Sequence, residues 1–290
     1  MIRILAMAAL ATGPVSAREI AFTFDDLPAH AALPPGVTRM QVADDIIAAL
    51  RSAQVPRVYG FINGVQLERE PVSDKVLAAW REAGFPLGNH GWAHLGLSTL
   101  DAATFEQEVA KNEPVLRHYM GGKDWHWLRF PFLDEAAADP AKQAAARAYL
   151  ARKGYRIAGV TASFGDWAFN DPYARCMAKG NTAAVAEMER AYLNAAEASI
   201  RLSEQTQMAQ FGRTPPDILL MHLGAFDARM LPRLLTLYRQ HGFRFVTLEK
   251  AAADPANAGL VDPTGPALPV RTMGDAASAA LLERVGALCR

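Results

Sequence analysis

Neither sign of charge prevails in this sequence: 30 Lys and Arg stand against 30 Asp and Glu over 290 residues. A chain without net charge lacks the bulk attraction that holds polyanions, so a nucleic-acid partner is not expected. Cysteine is scarce. Cys176 and Cys289 are the only two, which excludes a disulfide-dense scaffold and any cysteine-rich zinc motif. The pair either ties the carboxyl-terminal tail to the middle of the chain or stays as two thiols, and spacing does not choose between them. No apolar run reaches the roughly 20 residues that a membrane span needs. Internal repeats and low-complexity tracts are also missing.

The two ends differ from the middle. Arg3, the apolar run 4–11 and the small residues Val15, Ser16 and Ala17 have the order of a secretory signal, so 1–17 is expected to be removed and the mature protein to be periplasmic or secreted. From 251 the composition shifts to Ala, Asp, Asn, Gly and Pro. The segment 251–290 is therefore expected to be an irregular tail closed by a helix at 275–288 that packs on the body. The stretch 18–250 is left as one domain.

Within it, short apolar runs alternate with amphipathic segments. Strands are predicted at 20–24, 57–62, 86–89, 127–129, 156–160, 218–221 and 243–246. Helices are predicted at 40–52, 73–83, from 99 or 101 to 118, and at 136–153, 182–208 and 228–240, with Ser73 and either Thr99 or Asp101 as N-caps and Gly84 and Gly154 as stops. Such alternation implies an α/β fold with a mostly parallel sheet, whose chemistry gathers at the carboxyl ends of the strands.

Polar residues cluster at those ends. Asp25 and Asp26 close the first strand and His90 and His94 follow the third; Arg129 and His222 close two others. An isolated Asp-Asp pair is ordinarily a turn or a helix cap, and two histidines four apart are weak evidence alone. Together, one carboxylate and two imidazoles hold a divalent metal and leave positions open for water and substrate. The second carboxylate is then free to act as a base.

The motifs Thr23-Phe24-Asp25-Asp26, His90-Gly91-Trp92-Ala93-His94, Arg129-Phe130-Pro131-Phe132, Asp166-Trp167 and Leu220-Met221-His222 stand in the order of the five motifs of the polysaccharide deacetylases, the NodB homology domain of carbohydrate esterase family four. The resemblance covers about 19–250 and implies an incomplete (β/α)7 barrel, here with a helical insertion late in the barrel. It implies Asp26, His90 and His94 as metal ligands, Asp25 as base and Arg129 as the partner of that base. By the same resemblance His222 is the general acid oriented by Asp166, Phe132 offers a backbone N–H to the oxyanion, and Trp167 and Leu220 wall the acetyl pocket. The implied reaction is metal-dependent removal of N-acetyl groups from an acetylated sugar or glycan. The implied metal is Zn2+, with Co2+, Ni2+ or Mn2+ as substitutes.

Three departures stand out. Gly91 replaces the usual Ser or Thr, whose hydroxyl helps hold the loop. Phe132 replaces a common Tyr, and the long helix at 182–208 is expected to shape or roof the cleft. An O-acetyl esterase, a small-amide hydrolase, an iron(II) oxygenase using the same ligand set, and an inactive glycan-binding module are the competing readings. Of the other residues, His30 is expected to serve the loop or the outer shell of the site. Trp92, Trp125 and Trp127 either stack on a sugar or pack in the core.

Overall fold

Strand β1 (Arg18–Leu27) is the axis of the structure, flanked by parallel neighbours on both sides. The computed structural model describes residues 17–265 and 276–290. After β1 come α1 (Arg39–Ser52), β2 (Tyr59–Ile62), α2 (Val65–Arg69), α3 (Asp74–Glu82) and β3 (Leu87–Asn89). The middle of the chain forms α4 (Ala102–Met120), β4 (Trp127–Leu128), α5 (Pro140–Arg152), β5 (Arg156–Ile157), α6 (Asn170–Ala178) and α7 (Thr182–Phe211). It ends with β6 (Asp217–His222), α8 (Ala225–Gln240), β7 (Phe243–Phe245), α9 (Leu248–Ala252), α10 (Ala258–Val261) and α11 (Ala276–Ala287).

The strands run in the order β5-β4-β3-β2-β1-β6, all parallel, and β7 pairs with the first residues of β1. This sheet curls without closing as a continuous ladder. The segment after β5 meets β6 through one isolated bridge, Ala162 to Leu219. The result is the parallel sheet expected from the strand–helix alternation, in the incomplete barrel form that the family resemblance implied.

Alternation along the strands sorts side chains to two sides. Phe22, Phe24, Leu219 and Met221 face the surrounding helices, where they join Ile46, Leu50, Trp80 and Leu231 in the main core. Ala21, Tyr59, Phe61, Trp127, Ala158 and Ile218 face inward and form a separate apolar plug, covered at one end by Leu248 and Ala251 of α9. Trp127 is thus core, and neither Trp92 nor Trp125 borders the catalytic pocket described below.

Most helix starts are legible in the chain. Thr38, Asp101, Asp139 and Asn181 accept capping hydrogen bonds from backbone N–H groups at the starts of α1, α4, α5 and α7. Ser73 does not: it is buried before α3 and its hydroxyl makes no capping bond, so that expectation is corrected. The tail is less irregular than its composition suggests, since α9 and α10 bury Ala251 and Leu260. Leu260 packs directly on Gly159, where a Cβ would lie 2.6 Å from it.

Helix α7 does not roof the cleft. Its apolar face, with Val185, Met188, Tyr192 and Ile200, is buried behind the barrel, and Tyr192 packs edge-on against Phe164, Phe169 and Phe226. A different element reaches the cleft. Cys176 of α6 is bonded to Cys289, and this bridge fastens α11 so that Leu282 lies against Gly165. The leader expected at 1–17 lies, apart from Ala17, outside the described residues. Among the described residues no helix is long and apolar enough to cross a membrane.

Candidate active site

Adjacent residues on a strand normally point to opposite faces, yet Asp25 and Asp26 both line one cavity. A bulge reconciles the two. Phe24 pairs with Gly60 and Leu27 with Ile62, so β1 holds one residue more than β2 over the same interval. Asp26 takes the extra step with φ at 62°, a left-handed conformation that Asp tolerates better than most residues. The bulge turns its carboxylate to the same side as that of Asp25.

The inward positions above the apolar plug are polar. Arg129, only 1% exposed, donates from Nη1 to both carboxylate oxygens of Asp25 at 3.2 and 3.3 Å. Its Nη2 donates to Thr23 Oγ1 at 3.0 Å, its Nε donates to the Ala158 carbonyl, and its guanidinium lies over the Phe61 ring. Thr23 in turn donates to the Leu219 carbonyl. The arginine is therefore fixed on every side, and its charge falls on Asp25.

His90 leaves β3 with its ring already oriented. Its Nδ1 donates to the Arg129 carbonyl at 2.8 Å, which leaves Nε2 free. That Nε2 stands 3.5 Å from Asp26 Oδ1, and His94 Nε2 stands 3.4 Å from the same oxygen. Asp26 Oδ1 is buried and has no hydrogen-bond partner. One ligand atom from each of Asp26, His90 and His94 falls within 4.8 Å of the others. A buried, unpartnered carboxylate oxygen facing two imidazole nitrogens is a donor set that fits a divalent metal. Burial opposes the charge on Asp26, but the His30 hydrogen bond and the nearby His222 and His90 outweigh it, and its pKa lies well below the usual carboxylate range. Burial and the neighbouring His90 push His94 down to about 4, so its ring is neutral and available for coordination.

The loop carrying these histidines does not need a hydroxyl at position 91. Gly91 has φ at 69°, where a side chain is disfavoured. Asn63 donates to the carbonyls of His90 and Gly91 at 2.7 and 3.1 Å, and Asn89 accepts from Gly91 N–H at 2.9 Å. Asn112 joins Asn89 and the Ile62 carbonyl, and Glu108 accepts from Ala93 N–H. This buried amide network was not anticipated, because three asparagines distant in sequence carry no motif.

Across the cavity, His222 ends β6. Its Nδ1 lies 3.2 Å from the Asp166 carboxylate, which also accepts from His222 N–H at 2.7 Å. Burial disfavours its charge, yet Asp166, with Asp26 and Asp25 behind it, raises the imidazole to about 10. Behind Asp166 sits a second buried carboxyl, Asp227, which accepts from Tyr192 at 2.8 Å and Asn170 at 2.8 Å. Burial and the charge of Asp166 hold Asp227 well above the carboxylate range.

The cavity holds about 450 Å³. Every expected site residue lines it except Arg129 and Asp166, which lie behind Asp25 and His222. Phe132 and Trp167 stand at its mouth, 71% and 50% exposed, and the Phe132 ring meets His94 edge-on at 4.3 Å. Leu220 is buried in the wall. His30 and Leu282 are additions that motif order does not supply. A candidate metal-ligand set, a carboxylate and an imidazolium facing one cavity are suited to hydrolysing an acyl bond.

The sequence profile of the polysaccharide deacetylases matches residues 12–157, about half of the chain. Among solved structures, the chitin deacetylase of the fungal pathogen Colletotrichum lindemuthianum is similar at 20% identity and a TM-score of 0.56, over 83% of this chain and 90% of that one. The peptidoglycan deacetylase PdaC of Bacillus subtilis is similar at 16% identity and a TM-score of 0.52, over 84% and 96%. A family 4 carbohydrate esterase of Streptomyces lividans, bound to acetate, is similar at 18% identity and a TM-score of 0.50, over 79% and 91%. At such identities the likeness is one of fold. No curated protein matches the chain.

Proposed function

The chain belongs to the polysaccharide deacetylase family, a family of metal-dependent hydrolases, and on that footing we propose that it removes N-acetyl groups from an acetylated sugar or glycan. The observation that carries this reading is the pairing of opposite charges around one cavity. Asp25 is backed by the buried cation Arg129, and His222 by the buried anion Asp166. An amine leaves poorly without a proton, so amide cleavage calls for both a base and an acid.

Asp26, His90 and His94 would hold the metal, and two imidazoles with one carboxylate are a ligand set that zinc hydrolases use. When bound there, a divalent metal polarises the acetyl carbonyl and lowers the pKa of water. Asp25 takes the proton of the attacking water, and Arg129 holds the carboxylate aimed through its two hydrogen bonds. Phe132 N–H hydrogen-bonds the carbonyl oxygen as its negative charge grows. His222 gives its proton to the departing nitrogen, and Asp166 fixes the ring with Nε2 toward the cavity. Trp167 and Leu220 exclude water around the acetyl methyl group.

The enzyme works outside the cytoplasm. Its Cys176–Cys289 bridge suits an oxidising compartment, as does the leader pattern at 1–17. The test is acetate release from N-acetylglucosamine oligomers and from O-acetylated xylan, with metal-free protein and with added zinc. Zinc-dependent release from the amides is expected. Release from the esters alone would turn the reading to an O-acetyl esterase. Silence on both classes with zinc bound would remove the deacetylase reading.

A further inference from the structure

His30 makes two contacts that the acid–base pair and the metal ligands leave unused. Its Nδ1 lies 2.8 Å from Asp26 Oδ2. A carboxylate only accepts, so this ring nitrogen carries the hydrogen, and in the neutral ring the other, Nε2, presents a lone pair. Asp26 Oδ2 is thereby occupied, and Oδ1 is the oxygen left facing His90 and His94 at 3.5 and 3.4 Å. His30 Nε2 is buried without a partner, in a ring that borders the cavity and lies 4.7 Å from the His222 ring. It is not a fourth ligand: among the described residues the group within 4.8 Å contains Asp26, His90 and His94 alone.

The loop that carries His30 is built to stay in place. Arg39, at the start of α1, donates from Nη1 to the carbonyls of His30 and Ala31 at 2.9 and 2.8 Å. The same guanidinium is held by both oxygens of Glu70 at 3.1 and 3.0 Å. Ala32 N–H donates to Asp171 at the start of α6. Anchors on both sides fix the imidazole where it meets Asp26. Neither Arg39 nor Asp171 touches the cavity, so their bonds serve the loop.

We propose that His30 is a positioning residue that selects Oδ1 of Asp26 as the metal-facing oxygen, and that its Nε2 accepts a hydrogen bond from a substrate hydroxyl next to the acetylated nitrogen. The second half rests on the deacetylase reading. The first half does not, since it concerns metal affinity alone. A hydrogen bond to a ligating carboxylate restricts it to one orientation before the ion arrives, and loss of such a partner typically costs about 10- to 100-fold in affinity.

Two substitutions separate the contacts. His30→Ala removes both. His30→Asn keeps an N–H donor at the place of Nδ1 and removes the acceptor at the place of Nε2. Zinc affinity is measured on metal-free protein by competition with a chromophoric chelator, beside circular dichroism to verify folding. His30→Ala is expected to bind zinc 10- to 100-fold more weakly, and His30→Asn to recover most of that loss. With N-acetylglucosamine oligomers, zinc-saturated His30→Asn is expected to show a raised KM and a nearly unchanged kcat. Wild-type affinity in His30→Ala would overturn the positioning role, and so would an equal loss in both variants. A wild-type KM in His30→Asn would overturn the substrate contact. If the wild-type protein released no acetate, the proposed function would fail, and the affinity series would still decide the positioning role.

Discussion

Asp25 and His222 are register partners on adjacent parallel strands, β1 and β6. The proposed base and acid are therefore spaced by one rung of the sheet, with a neighbouring-strand separation of about 4.8 Å, and not by a loop that must close. The same strands place Thr23 beside Leu220 one inward step below, where Arg129 enters. A rigid ladder carries the parts that handle protons, and the irregular segments after β4 and β5 carry Phe132 and Trp167 at the mouth of the cavity.

Asp25→Asn keeps the shape of the base and removes its ability to take a proton. Zinc stoichiometry should match the wild type while kcat falls by about 10²- to 10⁴-fold, the usual worth of a positioned base. Both follow from one preparation by metal analysis and an acetate assay. A variant that turned over normally would take Asp25 out of the mechanism.

His90→Ala removes a proposed ligand whose other nitrogen is spent on the Arg129 carbonyl. Zinc affinity should fall by more than the 10- to 100-fold expected for an outer partner, and turnover should vanish with it. Undiminished stoichiometry in the dialysed variant would show that the ion is held elsewhere.

The pH profile should report the acid. Asp166 raises His222 from its ordinary 6.5 to about 10 despite burial, so the ring keeps its proton across the neutral range. The alkaline limb of kcat/KM should accordingly lie well above pH 6.5 and move down by more than one unit in Asp166→Asn. A bound cation lowers the limb in both proteins without changing the direction of that shift. The stability contribution has the same sign. It is full below about pH 6.5 and is lost as pH rises toward about 10, because the folded state holds the proton more tightly.

Cys289→Ser opens a bridge that spans 113 residues. Chain-entropy arguments set the loss of stability at up to about 4–5 kcal/mol, read as a lower urea midpoint. Zinc affinity should not change, because β1, β3 and the buried asparagine network hold Asp26, His90 and His94 without help from α11. KM should change, because Leu282 borders the cavity. Wild-type values of both midpoint and KM would show that packing of Val285 and its neighbours is enough to seat the helix.

Much of this was legible because the strand ends announce themselves: an apolar run that breaks into Asp25, His90, Arg129 or His222 marks both the strand and its functional end. The bulge at Asp26 was not legible, since one extra residue changes a register without changing a pattern. Ser73 looked like a cap but is buried, where packing governs its hydroxyl. The apolar face of α7 is buried, but its periodicity says nothing of what it is buried against, and the expected roof proved to be a buttress. His30 was expected beside the site from its nearness to Asp26, whereas Leu282 comes from a segment without any motif, and long-range contacts alone bring it to the cavity.

That last placement has a consequence for when the enzyme becomes complete. Synthesis runs from the amino end, so the carboxylates, both histidine ligands, Arg129 and His222 are all made before Leu282, and Cys289 follows it. A nascent or carboxyl-terminally clipped chain would hold the full reacting set around a cavity open on one side, and the last wall would arrive with the bond from Cys289 to Cys176.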